Sequence, residues 1–304
     1  MGPEAMSEWL ISIEGTEVGR TVALVLALQA AFLHALFGAL QKTRSDPWTM
    51  RAAIDGCYGL IALPIALFLV PMPEPELWPL FGIAWVLHTG YKIAQASAYT
   101  VGAYTVVYPV VRGSSPAFTV VGAGILFNEH FTSVQWLGVA CLTFGILGLA
   151  AYNLRHTVID RSRLPLALGL ALMTGGIVAL YTTWDAYVIR ATANPFTFLA
   201  WFFLIDAVAF PFGYLLWRQG QLPQPFAPVL RLGVLGAFVA YFSFGGIMLA
   251  TRLDKVGEAA VLRETSVVFA ALFGWLMLGE KVGPRRLALM ALIAAGAVIV
   301  ELGN

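Results

Sequence analysis

Apolar segments of about twenty residues recur along the whole chain, which is the length that an α-helix needs to cross a bilayer. Hydrophobic side chains make up 59% of the 304 residues and charged ones only 12%, whereas charged residues are about a quarter of an average soluble domain. We therefore predict an all-α, polytopic membrane protein with about ten transmembrane helices. The predicted spans lie near 21–41, 52–71, 79–99, 104–127, 133–152, 166–189, 195–217, 232–251, 259–278 and 287–302.

The cysteines and the N-terminal segment argue against a metal site and against a signal peptide. Cys57 and Cys141 fall inside apolar segments without metal-ligand spacing, so we interpret them as small hydrophobic residues and expect no metal and no cofactor. Segment 1–20 carries four glutamates before its first arginine, Arg20, which is the opposite of the basic start of a signal peptide. The sequence has no run of basic residues that would favour binding to nucleic acid.

The two halves of the chain carry related residues at a constant offset. Arg112 and Arg263 lie in similar segments that are 151 residues apart, since 263 − 112 = 151. Glu129 and Glu280 are separated by the same number, since 280 − 129 = 151. Self-similarity of this kind indicates a duplicated unit.

The offset divides the chain into an N-terminal segment, 1–20, and two five-helix repeats, 21–152 and 166–302. Because five is an odd number of crossings, the second repeat enters the membrane from the opposite side. The sequence therefore predicts inverted repeats, which are typical of transporters.

Each repeat places a glutamate-containing turn, Asn128-Glu129 or Gly279-Glu280, before a last helix that contains glycine. This pattern resembles the EamA-type drug/metabolite transporter superfamily from about residue 20 to 302, and ten-helix bacterial amino acid exporters in particular. The resemblance implies a basket of eight helices around a central cavity, with the fifth and tenth helices peripheral. It also implies a multi-pass protein of the bacterial inner membrane.

Basic residues of the short loops lie mostly on one face, which the positive-inside rule makes cytoplasmic. We follow these charges and predict both termini outside, whereas the resemblance implies both inside. The residues of this face are Lys42, Arg44, Arg51, Arg155, Arg161, Arg163, Arg218, Arg231, Lys281, Arg285 and Arg286.

Ionisable side chains inside the predicted spans are the first candidates for a functional site. Each costs about 2.5–3.5 kcal/mol on insertion scales, so such residues mark cavities, ion pairs or proton paths. Asp55 lies near the end of a span, and we expect it to reach the interface. The others are His34, His88, Lys92, Arg112, Asp185, Asp206, Arg263 and Glu264.

The third span carries polar and aromatic residues at spacings of three and four, which places them on one helical face. We expect this face to bind a polar small molecule through a positive charge, a titratable imidazole and flat aromatic walls. The alternative is that the face packs against another helix while Lys92 extends to the interface. The residues are Trp85, His88, Lys92, Gln95 and Tyr99.

Arg112 precedes Gly-Ser-Ser-Pro, a sequence that favours a break in the helix and exposes backbone groups to a cavity. A guanidinium there can bind a carboxylate through two hydrogen bonds, and Arg263 is a second candidate. The alternatives are structural: Arg112 is the counter-ion of Asp206, and Arg263 pairs with Glu264 or Asp254.

The sixth and seventh spans supply further candidates. Trp184 and Asp185 lie on one face of the sixth span, and Trp201 and Asp206 lie in the seventh. A carboxylate in the middle of a span needs a basic partner, and Lys92 and Arg112 are the two considered for Asp206.

These residues predict a transporter of small polar metabolites, with amino acids as the leading substrate class and export as the leading direction. The bilayer and a small polar or zwitterionic substrate are the expected partners; organic acids fit nearly as well, and proton coupling stays open. A membrane-embedded enzyme with His88 and Asp206 as acid and base is the rival hypothesis. The chain lacks a paired-histidine metal motif, a Gly-x-Ser-x-Gly elbow and a nucleotide-binding loop, so we expect no catalytic residues.

Overall fold

The computed structural model describes residues 3–41, 46–102, 104–156, 161–221, 225–278 and 283–303, which are helical almost throughout. Lys42, Arg44, Gly279, Glu280 and Lys281, which carry part of the predicted charge bias and repeat motif, lie outside these residues. The prediction of an all-α, polytopic membrane protein is confirmed. The α-helices are α1 (Pro3–Ser12), α2 (Glu17–Gln41), α3 (Pro47–Phe68), α4 (Trp78–Val101), α5 (Tyr104–Phe127), α6 (Ser133–His156), α7 (Leu164–Ala191), α8 (Pro195–Trp217), α9 (Phe226–Leu253), α10 (Val256–Arg263), α11 (Ser266–Leu278) and α12 (Pro284–Leu302).

Helix starts follow the local sequence. α3 begins with Asp46-Pro47, where the Asp46 carboxylate accepts a hydrogen bond from the backbone N–H of Thr49. α8 begins with Asn194-Pro195, where the Asn194 side chain accepts one from a backbone N–H. A capping side chain followed by proline satisfies N–H groups that have no partner within the helix.

Seven helices of the described chain are long and apolar enough to cross a membrane: α2, α3, α5, α6, α7, α8 and α9. The other predicted spans correspond to α4, to α10 with α11, and to α12. At about 1.5 Å per residue, the 24 residues of α4 reach about 36 Å, which exceeds a hydrocarbon core of about 30 Å. Crossing by these three remains a prediction.

Two predictions about helix breaks are wrong. The ninth span, predicted as one helix, is divided at Glu264 and Thr265 into α10 and α11. Conversely, the predicted break after Arg112 is absent, because α5 continues from Tyr104 to Phe127 with Pro109 and Pro116 inside it. The Ser114 hydroxyl donates hydrogen bonds to the carbonyls of Val110 and Val111 within this helix.

Helix contacts in one half have counterparts in the other. When positions are shifted by 151, α2 corresponds to α7, α3 to α8, α4 to α9, and α5 to α10 with α11. α2 packs on α9 and α7 packs on α4, while α5 packs on α7, and α10 and α11 pack on α2. α3 packs on its own counterpart, α8. A two-fold axis between two repeats would pass through the α3–α8 contact.

α6 and α12, the last helices of the two predicted repeats, pack closely on each other. A methyl group added at Gly296 would lie 2.6 Å from the Gly138 carbonyl oxygen, and one added at Gly145 would lie 2.7 Å from the Ile293 side chain. Small residues therefore let these two backbones approach, as is common for membrane helices.

Candidate functional site

Four charged side chains form a buried network between α3, α4 and α8. The Lys92 ammonium lies 2.6 Å from Asp55 Oδ2 and 2.8 Å from Asp206 Oδ2. Arg51 Nε lies 2.9 Å from the other oxygen of Asp55. Of the two partners considered for Asp206, the structure shows Lys92. Two cations balance two carboxylates, so the network is neutral, which lowers the cost of burying its charges.

The expectation that Asp55 reaches the membrane interface is wrong, as is the assignment of Arg51 to a loop. Both side chains are buried, and that of Asp55 has no exposed surface. The predicted span started at residue 52, whereas α3 starts at Pro47. Asp55 therefore lies about 12 Å along the helix, at about 1.5 Å per residue.

His88 and Asp185 form a second buried pair, between α4 and α7. His88 Nε2 and Asp185 Oδ2 are 2.8 Å apart. The Tyr181 and Phe202 rings flank the imidazole, with centroids 4.2 and 4.7 Å away. The second oxygen of Asp185 has no hydrogen-bond partner within the described residues, so one side of this carboxylate is available to another group.

Arg112 pairs with a carboxylate of the other half of the chain. Its Nε lies 2.8 Å from Glu264 Oε2, and its Nη2 donates to the Ser266 hydroxyl at 3.4 Å. Arg112 and Glu264 are 3% exposed. Arg112 is thus neither the counter-ion of Asp206 nor unpaired.

Arg263 is as buried as Arg112 but has a different environment. Its guanidinium carbon lies 4.8 Å from the centroid of the Phe244 ring, a distance suited to a cation–π contact. In the part of the chain that the structure describes, its Nε and Nη2 have no hydrogen-bond partner. The carboxylates considered as its partners are bound elsewhere, since Glu264 pairs with Arg112 and Asp254 lies 3.9 Å from Arg20.

The repeat offset explains why Arg263 forms no ion pair like that of Arg112 within the described residues. The partner of Arg112 is Glu264, and the equivalent of Glu264 in the first half is Gly113, since 264 − 151 = 113. The first half therefore offers a glycine where the second half offers a carboxylate. One arginine of the pair is neutralised by the protein, and the other keeps its charge.

Arg263 and Asp185 line the same cavity, between α7, α9 and α10, together with Tyr181, Phe244 and Met248. The space inside is about 10 Å³, close to that needed by one water molecule. The cavity combines a guanidinium, a carboxylate and an apolar wall. In this conformation it is too small for a metabolite.

Two arginines join α7 and α9 at the end of the bundle near this cavity. Arg190 of α7 donates to the carbonyls of Thr251 and Asp254 at 2.9 and 2.8 Å. Arg252 of α9 donates to the carbonyls of Ile189 and Thr192. Each arginine thus bonds to the last turn of the other helix or just beyond it, which ties the two helix ends together.

The predicted aromatic residues are spread over different environments. The Trp85 side chain is 36% exposed, while Tyr99 is half-buried. Trp184 Nε1 donates to the Leu80 carbonyl at 3.0 Å, and Trp201 packs edge-on against Trp78 with ring centroids 5.6 Å apart. Substrate contact by these four stays a prediction, and the structure gives none of them a place in the lining of this cavity.

Arg51 and Tyr58 were not predicted as site residues, and Asp55 was misplaced. The Tyr58 hydroxyl donates to the Asp206 carboxylate and accepts from Lys92 Nζ. The repeat offset could have identified Asp55 as a buried residue, because Asp55 and Asp206 are also 151 residues apart. Arg51 lies one helical turn before Asp55, at the spacing at which opposite charges pair.

Comparison with known proteins bears on the second half most directly. Residues 165–302 match the model of the EamA-like transporter family, so this part of the chain carries an EamA-like transporter domain. The first half of the resemblance remains a prediction. No curated protein matches the chain.

One solved crystal structure superposes on the chain with a TM-score of 0.76. It covers 93% of this chain and 96% of its own length, with 16% identity. The likeness shows a common fold over nearly the whole chain.

Proposed function

We propose that this protein is a transporter of small polar metabolites, with zwitterionic amino acids as its substrates and the cavity between α7, α9 and α10 as its binding site. The observation that carries the proposal is the cavity itself, in which Arg263 and Asp185 keep unsatisfied polar atoms while both are buried. Buried charges of opposite sign that are left available to a ligand suit the two ends of a zwitterion.

Each part of the cavity has a role in this proposal. Arg263 binds the substrate carboxylate through two nitrogens. Asp185 binds the ammonium group with the oxygen that faces away from His88. Phe244, Tyr181 and Met248 surround an apolar side chain. Because the cavity has room for about one water molecule, substrate binding requires α7, α9 and α10 to separate.

The family match supports transport rather than catalysis, because the matched family is one of transporters. The helix contacts that repeat at an offset of 151 support two inverted five-helix repeats, the architecture on which alternating access is built. Export and a place in the bacterial inner membrane follow from the resemblance to bacterial amino acid exporters.

Three solutes that share one side chain test the proposal. Leucine, its decarboxylated amine isoamylamine and its deaminated acid 4-methylpentanoate are offered to proteoliposomes, with and without a pH gradient. We expect leucine to cross unchanged and faster than either analogue, because only leucine occupies both charged groups. Equal transport of the acid would instead make this an organic-acid transporter, and formation of a product without movement would favour an enzyme.

A further inference from the structure

The Lys92 ammonium occupies a cage of four oxygen atoms. Besides Asp55 Oδ2 at 2.6 Å and Asp206 Oδ2 at 2.8 Å, it lies 3.0 Å from the Tyr58 hydroxyl and 3.0 Å from the Asp206 carbonyl oxygen. The Tyr58 hydroxyl also donates to the Asp206 carboxylate. The side chain of Lys92 has no exposed surface. The cage is thus a fully buried site whose present occupant is a tethered cation.

The charge of the cage specifies a monovalent occupant. Arg51 neutralises one carboxylate from the other oxygen of Asp55. Without Lys92, the two carboxylates and Arg51 would leave a single negative charge. One monovalent cation would restore neutrality, whereas a divalent cation would leave a buried positive charge, which is unfavourable.

The distances are those of an ammonium that donates hydrogen bonds. Charge-assisted N–H···O bonds span about 2.7–2.9 Å, close to the 2.6 to 3.0 Å seen around Lys92 Nζ. A hard cation such as Ca²⁺ sits closer to its oxygens, at about 2.3–2.6 Å.

The two carboxylates of the cage come from the two halves of the chain. Asp55 lies on α3 and Asp206 on α8, and the residues are related by the repeat offset, since 206 − 55 = 151. α3 and α8 pack on each other, so the cage lies at the contact that a two-fold axis would cross. A cation bound here joins the two repeats.

We propose that this cage is a monovalent-cation site that the chain fills with the ammonium group of its own Lys92. The lysine takes the place that a dissolved cation would take between the two repeats. No dissolved cation is therefore needed at this site, and removal of the lysine side chain creates a binding site for a primary alkylammonium ion.

The test is chemical rescue of Lys92→Ala. Propylammonium matches the atoms that this substitution removes, from Cγ to Nζ. We expect millimolar propylammonium to raise the melting temperature of the purified variant by several degrees, because a ligand that binds only the folded state stabilises it. Propanol, which lacks the charge, and tetramethylammonium, which lacks N–H donors, should leave it unchanged. The wild type should respond to none of the three.

A second substitution tests the cage itself. In Tyr58→Phe combined with Lys92→Ala, one of the four oxygens is gone, so half-maximal rescue should need about tenfold more propylammonium, as expected for loss of one hydrogen bond to a charged group. Lys255→Ala is the matched control, because Lys255 is a half-buried lysine whose ammonium pairs with Glu258. Propylammonium should not stabilise this variant.

Two outcomes would overturn the proposal: Lys92→Ala gains no stability from propylammonium, or propanol or tetramethylammonium stabilises it equally. If Lys92→Ala is recovered only as aggregate, it is solubilised with and without propylammonium. A monodisperse fraction that is present only with the amine supports the proposal, and an equal result in both contradicts it. None of these measurements depends on the proposed transport function, so its failure is distinguishable from the failure of the cation site.

Discussion

At the scale of single residues, Arg112 and Arg263 show how one duplicated arginine acquires two roles. Both are buried in equivalent segments, yet of the two it is Arg112 that forms an ion pair within the described residues. The difference comes from Glu264, whose equivalent position holds Gly113. The sequence led us to expect that Arg112 would bind the substrate, but its ion pair with Glu264 favours Arg263 for that role.

The pairing predicts how Arg112 behaves when it is replaced. In Arg112→Ala, the Glu264 carboxylate is left buried without its partner, so we expect a loss of about 3–5 kcal/mol of stability and a low yield of folded protein. Adding Glu264→Gln removes the stranded charge and should restore most of the yield. Fluorescence-detected size-exclusion chromatography measures both.

Arg231→Ala is the control for this pair, because Arg231 is an exposed arginine near the start of α9. It should match the wild type in yield and melting temperature. If Arg112→Ala is also normal, or if Glu264→Gln does not rescue it, the ion pair contributes little and the assignment of roles to the two arginines fails.

At the scale of helices, Arg263 is the last residue of α10, directly before the break that separates α10 from α11. α10 is held at its start by Glu129, whose carboxylate accepts hydrogen bonds from the backbone N–H groups of Val256 and Gly257 at 2.8 and 3.0 Å. A carboxylate at a helix N-terminus is favourable for the helix dipole as well. The turn after α5 in the first half thus fixes the short helix that carries Arg263 in the second.

Sequence patterns predicted which charged residues are buried, but they did not predict well which of these residues pair with each other. His88, Lys92, Arg112, Asp185 and Asp206 were expected inside because charged groups in apolar spans avoid lipid, and all five are buried. Their partners depend on how the helices pack and rotate, which one-dimensional periodicity does not specify. Asp55 was misplaced because the start of α3 was read five residues too late, at 52 instead of 47.

The α6–α12 contact predicts a stability change from a single methyl group. In Gly296→Ala, the new Cβ would lie 2.6 Å from both the Gly138 carbonyl oxygen and the Leu142 backbone nitrogen. We expect the helices to be pushed apart, with a loss of about 1–3 kcal/mol, seen as a lower melting temperature.

Gly176→Ala provides the matched comparison, since Gly176 lies within α7 and an added Cβ there would meet no atom within 4 Å. This variant should be unchanged or more stable, because alanine favours a helix over glycine by about 0.5–1 kcal/mol. Equal melting temperatures for the two variants would mean that α6 and α12 do not depend on this close approach.

At the scale of the whole molecule, the predicted five crossings per repeat would place the N-terminus and the link between the repeats on opposite sides of the membrane. In a background with Cys57 and Cys141 replaced by alanine, single cysteines at Glu8, Ser162 and Arg285 report their side through an impermeant thiol reagent. We expect labelling of Glu8→Cys in intact cells and protection of the other two, following the charge bias of the loops.

The reverse labelling pattern would show that both termini are inside, as the family resemblance implies, and would leave the inverted repeats intact. Labelling of Glu8→Cys and Ser162→Cys from the same side would contradict the inverted repeats themselves. All three cysteines should label once the membrane is permeabilised, which controls for their accessibility.

The central claim is that Arg263 and Asp185 bind the two ends of one zwitterion. The most direct test is to measure the melting temperature of purified wild type, Arg263→Gln and Asp185→Asn while leucine, isoamylamine or 4-methylpentanoate is titrated. The rise in melting temperature with ligand concentration gives a dissociation constant for each combination. We expect Arg263→Gln to weaken the binding of leucine and of the acid by about ten- to a hundredfold, since a hydrogen bond to a charged group contributes about 1.5–3 kcal/mol. Binding of the amine should stay unchanged. Asp185→Asn should weaken the binding of leucine and of the amine and leave the binding of the acid unchanged. If each variant instead weakens all three compounds equally, or neither changes any of them, the two residues do not form the substrate site.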